Sequence, residues 1–428
     1  MSATHAPRFD PRRRRRVTFA LLLVTALASF ESTVVATAMP TIVGELGGLR
    51  LYPWVFTVFL LASTLTMPLY GRLADLHGRR KTLLSAVVLF AGGSLLCAAA
   101  RSMSGLVAAR ALQGLGAGGL VPVSMTVAAD LFSLEERARV QGLFSGVWGA
   151  ASLVGPFVGA LLTTSFGWRW VFAPILPLGL LAGVLVGTQM VETTRAPAAP
   201  TPVFSGLFRV EGTAAAYIAS ALLGTVIYGV TVYVPLYVQG ALGGTAHAAG
   251  AVVTPLVFGW ALSSLVASRT LPRHGFRGTA LAGATLVSLG IAGLVVAARL
   301  GAPTPAISAA CGLVGLGLGP SALAQLLAVQ HAVPEERRGI ATSLVPFFRT
   351  VGGSAGVVGL GALLFARLGI APDAATGLLR PDAVVPSGIR LALHDALIPV
   401  FELLFVLALV QLAVAARLPA GRRKTAAD

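Results

Sequence analysis

Charge, cysteine and polar length are all scarce in this chain. Only 11% of its 428 residues are charged, and its 16 carboxylates number half its 32 lysines and arginines. That scarcity excludes an ordinary soluble core, because 56% of the residues are hydrophobic and too little charge remains to cover them. Two cysteines, Cys97 and Cys311, both inside apolar runs, exclude a disulfide framework or a cysteine metal cluster. They are expected to pack. No G-x-x-x-x-G-K-[ST] loop is present to cradle phosphates, and no soluble segment is long enough to hold a nucleotide site. With no nucleophile–base pair in sight either, neither enzymatic chemistry nor a cofactor is expected.

What fills the chain instead is apolar length. Cutting at charge clusters and turn residues leaves twelve runs, near 17–39, 52–71, 82–100, 105–131, 140–163, 168–191, 212–239, 247–268, 278–299, 304–331, 340–368 and 396–417. Each has the ~20 residues that an α-helix needs to cross a bilayer. The fold class predicted is all-α integral membrane, with twelve transmembrane helices. The one polar, proline-bearing linker, Glu192 to Arg209, divides them six and six: an N-terminal half over 1–191, a linker over 192–211 and a C-terminal half over 212–428. Arg12 to Arg16, the run after them and Ala36-Thr37-Ala38 imitate a secretory signal, but the run is about twice a signal's usual apolar length. A retained first helix is expected.

Lysines and arginines are unevenly placed, with 23 on the N-terminal side of the membrane, 7 on the opposite side, and Arg110 and Arg349 inside helices. By the positive-inside rule both termini are cytoplasmic. The net charge of +16 is thereby a topology signal, and nucleic acid is not an expected partner. Trp54, Trp168 and Trp170 fall at outer helix ends, where interfacial aromatics belong. The halves also repeat. GRLADLHGRRK at Gly71 to Lys81 and SRTLPRHGFRG at Ser268 to Gly278 share Arg72/Arg269, His77/His274, Gly78/Gly275 and Arg80/Arg277 at an offset of 197, and Glu135-Glu136-Arg137 returns at an offset of 200. Two related six-helix halves imply a substrate site between them near the midplane.

One acid demands a reason. Glu31, in FESTVVATAMP at Phe30 to Pro40, lies roughly 21 Å along the first helix, in a hydrocarbon core about 30 Å thick. A carboxylate at that depth costs a few kcal/mol unless it is partnered or protonated. Arg110 in the fourth helix reaches a similar depth, with Gln113 on its face at i+3. Burial and a guanidinium act on a carboxylate's proton affinity in opposite senses, so such a pair can couple proton movement to transport. It can also simply lock helix one to helix four. The other deep acid, Glu402 in helix twelve, is expected to be neutral or to snorkel outward.

These residues resemble the major facilitator superfamily, specifically its proton-linked drug exporters. GRLADLHGRRKTLL at Gly71 to Leu84 resembles the superfamily's loop motif, RALQGLGAG at Arg110 to Gly118 the arginine motif of helix four, and GVWGAASLVGPFVGALL at Gly146 to Leu162 the antiporter motif of helix five. FESTVVATAMP is similar to the first-helix signature L-D-x-T-I-V-N-V-A-L-P of the usually fourteen-helix drug:proton antiporters. Here Glu31 replaces Asp, Ala36 replaces Asn, and the linker is too short for the two extra helices.

The resemblance implies that Asp75, Arg79 and Asp130 form a charge cluster that stabilises the outward-open state, and that Gly155 and Pro156 help to seal the halves. Gly146, Gly149 and Gly159 share that helix, while Arg349 with Gly352, Gly353 and Gly356 points to close packing beside a buried charge. Tyr228, Tyr233 and Trp260 offer aromatic faces to a cationic or lipophilic substrate, or serve as plain packing. The expectation is a proton-coupled multidrug exporter, monomeric, in the inner membrane of a bacterium, with small molecules, protons and the bilayer as partners. Export of an endogenous lipid or metabolite is the alternative, and a non-transporting membrane receptor a weaker one.

Overall fold

The computed structural model describes residues 11–47, 51–190, 206–368 and 387–421. Among them, ten helices are long and apolar enough to cross a membrane. One of these, Ala246–Arg299, is interrupted at Gly275, whose φ of 69° leaves the helical region, so it is two helices. With Leu134–Phe166, which keeps an apolar Phe157–Phe166 portion, the twelve predicted runs correspond to twelve helices.

In chain order these are α1 Pro11–Leu46, α2 Tyr52–His77, α3 Arg79–Ala98, α4 Met103–Leu131, α5 Leu134–Phe166 and α6 Ile175–Gln189. There follow α7 Thr213–Leu236, α8 over 246–274, α9 over 276–299, α10 Thr304–Ala332, α11 Arg338–Leu368 and α12 Ser387–Ala415. The helix starts obey local chemistry. Ser102 caps α4 by accepting from Gly105 N at 3.1 Å. At α5, Ser133 and Glu136 form a reciprocal capping box. The repeat is visible in the backbone: Gly78 (φ 93°) separates α2 from α3 as Gly275 separates α8 from α9. A side chain at either φ would be strained.

The chain packs as two compact units, Met1–Phe208 with Gln330–Phe347, and Arg209–Val329 with Phe348–Asp428. The end of α10 and the first turns of α11 therefore belong to the first unit. In that unit α4 is central, packed against α3 and α2, while α1 lies along α5. Its apolar core joins Val34, Met39 and Ile42 of α1 to Val55, Cys97, Leu106 and the turn Trp168–Phe172. In the second unit α12 packs against α7 and α8, over a core that includes Tyr237, Cys311 and Phe401.

Two expectations are corrected here. Trp168 does not sit at an interface. It is fully buried, donates from Nε1 to Glu45 Oε2 at 2.8 Å, and meets Phe172 edge-on, because the 3-10 turn Trp168–Val171 rotates it inward while Trp54 and Trp170 stay about half exposed. Glu402, expected to be neutral or to snorkel outward, is partly exposed on α12 and pairs with Arg299 at the end of α9, Nε to Oε1 at 3.0 Å. α6 begins at Ile175 rather than near 168, for the same turn precedes it. Most of the Glu192 to Arg209 linker lies outside the described residues.

Candidate functional site

The first unit gathers Glu31, Arg110 and Gln113 into one buried cluster. Glu31 arrives on α1, and Arg110 and Gln113 share a face of α4 one turn apart. Arg110 is 2% exposed and ion-paired to Glu31 Oε1. The same guanidinium donates from Nη1 to Gln113 Oε1 at 2.7 Å and from Nε to the Val55 carbonyl at 3.1 Å, and it stands 4.0 Å from the centroid of the Phe59 ring. Gln113 continues the chain, donating from Nε2 to Ser94 Oγ at 2.6 Å, while Cys97 Sγ lies 3.6 Å from its Oε1. Helices α1, α2 and α4 thus meet at one cation, and α3 joins through Gln113. Glu31 Oε2 is buried and has no hydrogen-bond partner among the described residues. An acceptor left open in a dry interior is costly, and a proton or an incoming donor would relieve it.

A second cluster lies at the α2–α3 turn, also within the first unit. Arg79 joins Asp75 at 3.0 Å and Asp130, at the end of α4, at 3.0 Å. Its Nη1 also donates to the Ala74 carbonyl and its Nη2 to the Glu335 carbonyl. Asp75 accepts from Gly339 N and Ile340 N, both at 2.9 Å, so one carboxylate caps the start of α11. Charge and helix dipole favour that contact together. Gly339 permits it, since an added Cβ would lie 2.5 Å from Asp75 Oδ1. Arg338 completes the network by pairing with Asp130 at 2.6 Å. The sequence reading omitted Arg338; its signal was the basic pair after the repeated Glu-Glu, whose partner is fixed by tertiary packing. Beside it Arg137 is pushed down to about 10 by burial and the nearby Arg338 charge.

The remaining predicted residues stand apart from these clusters. Gly155 packs α5 on α1, where an added Cβ would come within 2.0 Å of Thr33 Oγ1, and Gly159 does the same against Thr37. Thr33 also donates across to the Ala151 carbonyl at 3.3 Å. Pro156 lies within α5. In the second unit, α7 and α11 touch backbone to backbone. Gly224 faces the Arg349 carbonyl, Gly352 the Ala221 carbonyl and Gly353 the Tyr228 ring, and Thr225 Oγ1 donates to Gly352 O at 2.8 Å. Tyr228 is partly exposed, beside Arg349 and bonded to Thr350. Tyr233 is buried and its hydroxyl donates to the Val357 carbonyl at 2.6 Å, a helix-packing contact. Trp260 is partly buried against the core of α7, α8 and α12.

Twelve apolar helices, a repeated glycine break and buried ionic clusters define a multi-pass membrane protein with an internal repeat. Residues 21–357 match the Major Facilitator Superfamily, and the chain belongs to that family of transporters. It is 29% identical to Multidrug transporter protein MdtP of Bacillus subtilis (strain 168), over 86% of this chain and 76% of that one. It is 28% identical to Multidrug resistance protein 3 of the same strain, over 61% of this chain and 62% of that one, less than two thirds of the relative's length. Its fold matches the crystal structure of the human organic anion transporter MFSD10 (TETRAN) with a TM-score of 0.70 at 16% identity, covering 94% of this chain and 100% of that one.

Proposed function

We propose that this chain exports small lipophilic or cationic compounds in exchange for protons, by alternating access, from the inner membrane of a bacterium with both termini in the cytoplasm. The observation that carries the reading is the open Glu31 Oε2 beside Arg110, a buried carboxylate with one oxygen held and the other available. Protonation removes the counter-charge that Glu31 gives Arg110, and deprotonation restores it. A cationic substrate reaching the same carboxylate competes with the proton, which is the condition for exchange. Gln113 would share in binding through its link to Arg110, and Tyr228 and Trp260 would offer aromatic faces, with Tyr233 supporting them.

Asp75, Arg79 and Asp130, joined by Arg338, act in this proposal as a latch on the start of α11. Releasing that helix start means breaking two carboxylate-to-amide bonds and the arginine pairs together, so the closed arrangement is held cooperatively. Gly155 and Pro156 keep α5 close to α1. The names of the two Bacillus relatives support drug export. The test is transport by the purified full chain in proteoliposomes, with an imposed pH gradient and a panel of cationic and neutral lipophiles. Substrate movement against its gradient, collapsing when the pH gradient is dissipated, is expected. A folded protein that moves none of them would return the chain to the receptor reading.

A further inference from the structure

The end of the first unit that carries the start of α1 holds a concavity of about 340 Å³, lined by Arg14, Arg15 and Thr18 of α1 together with Phe132, Glu136 and Arg139. Neither cluster described above includes these residues. The concavity is built into the fold. Arg13 Nε donates to the Gln189 carbonyl at 2.8 Å, tying the first turn of α1 to the end of α6. Arg14 pairs with Glu136 and lies 4.2 Å over the Phe132 ring, while Thr18 Oγ1 donates to the Arg14 carbonyl at 2.9 Å. Glu136, the single carboxylate of the lining, is already engaged by Arg14 and by the Ser133 N–H at 2.9 Å.

Three guanidinium groups therefore face one carboxylate. Arg14 Nε is buried without a hydrogen-bond partner among the described residues, and Arg15 and Arg139 are exposed on the rim. One helical turn further along stand Phe19 and Leu143, 55% and 46% exposed, on the same faces as Arg15 and Arg139. Cationic groups at the mouth with bare apolar side chains directly above them match a molecule that is anionic at one end and acyl at the other.

We propose that this concavity binds the phosphodiester headgroup of an anionic phospholipid, with its acyl chains lying over Phe19 and Leu143. Arg15 and Arg139 supply the donors and the charge, and Arg14, held by Glu136 and Phe132, fixes the depth. Binding there would brace the start of α1 against α5 without touching Glu31.

The experiment titrates the detergent-purified full chain with cardiolipin, phosphatidylglycerol, phosphatidylcholine and inorganic phosphate, reading bound lipid by native mass spectrometry. Cardiolipin or phosphatidylglycerol should bind, phosphatidylcholine should not, and inorganic phosphate should fail to displace the bound lipid. The double variant Arg15→Gln with Arg139→Gln should weaken binding about thirtyfold. Arg269→Gln with Arg273→Gln removes the same charge from exposed positions elsewhere and should change it less than about threefold. Equal binding of phosphatidylcholine, an equal loss in the second double variant, or displacement by inorganic phosphate would each overturn the proposal, the last by making the site one for free phosphate.

Discussion

Replacing Glu31 by glutamine keeps the shape of the side chain and removes its charge. Arg110 would then keep Gln113 Oε1, the Val55 carbonyl and the face of Phe59, but lose its only carboxylate among the described residues. Removing one member of a buried pair costs about 3–5 kcal/mol. Glutamine still offers a neutral acceptor, so the lower end, about 3 kcal/mol, is expected for Glu31→Gln. In a unit of this size that is a fall of roughly 6–12 °C in the unfolding midpoint. Arg110→Leu alone leaves Glu31 buried without a counter-ion and should cost at least as much. The double variant loses both charges together, and a coupling energy of about 2 kcal/mol should return part of the loss.

Stability alone does not separate a structural pair from a coupling one, so the same variants go into proteoliposomes. With Glu31→Gln, uptake driven by a pH gradient should stop, while downhill exchange of a neutral substrate persists. Glu31→Asp should retain partial coupling, because it keeps a titratable acid on a shorter arm. Two results would refute this reasoning. One is a Glu31→Gln protein that unfolds within about 0.5 kcal/mol of the parent, which would mean that the pair contributes nothing net. The other is a Glu31→Gln protein that still moves substrate uphill on a proton gradient.

Asp75→Asn should slow transport while leaving substrate affinity within about twofold, since the cap on α11 is worth about 1–2 kcal/mol and biases conformations rather than binding; equal loss of affinity and rate would count against the latch. At the opposite helix ends, the Arg169 guanidinium and the Trp168 N–H hold Glu45 below its ordinary value of 4.5. With the folded value lower than the free one, the clasp adds stability above that free value and loses it as pH falls through the folded value. The midpoint difference between the parent and Glu45→Gln should therefore vanish in acid, and a gap that widens in acid would reverse the assignment. Glu31 is the one fully buried carboxylate among the described residues, so a coupling ratio of one proton per transport cycle is expected; balancing pH and substrate gradients measures it, and a ratio of two would require a second acid.

Much of this architecture could be read from composition and spacing. The apolar runs reappear as helices because backbone groups in hydrocarbon must be satisfied within their own segment, which leaves few alternatives to a helix. The breaks at Gly78 and Gly275 were legible as a repeat because each marks a turn with the same backbone demand. Matching depths along two helices were enough to bring Glu31 and Arg110 together on paper. What depth cannot give is azimuth. Nothing in the alternation Trp168-Arg169-Trp170 says which ring turns inward, and only the packed turn put Trp168 on Glu45. Arg299 reached Glu402 for the same reason, since the two lie on different helices and their pairing depends on how α9 and α12 face one another. Arg338 and Ser94 completed clusters whose central members were legible while their outer members were set by tertiary neighbours.

The repeat is faithful in backbone and unfaithful in chemistry, and that difference locates the proposed mechanism. Gly78 and Gly275 make equivalent breaks, yet the position of Asp75 in the first repeat is Pro272 in the second, where no carboxylate is available to cap a helix. The buried acid Glu31 likewise belongs to the first unit, while the acid deepest along α12, Glu402, faces outward and is neutralised by Arg299. The second unit keeps the close glycine contacts of α7 and α11 and the interior Arg349 but carries no buried carboxylate among its described residues. Both ionic devices lie in one unit, so in the proposed mechanism protonation would act on α1 and α4 and the latch on the first turns of α11 that pack with them. The two devices share α2, whose Val55 carbonyl holds Arg110 at one end and whose Asp75 caps α11 at the other. A tilt of α2 as a rigid body would therefore load both at once. In the proposed mechanism that helix would be the route from the state of Glu31 to the state of the latch.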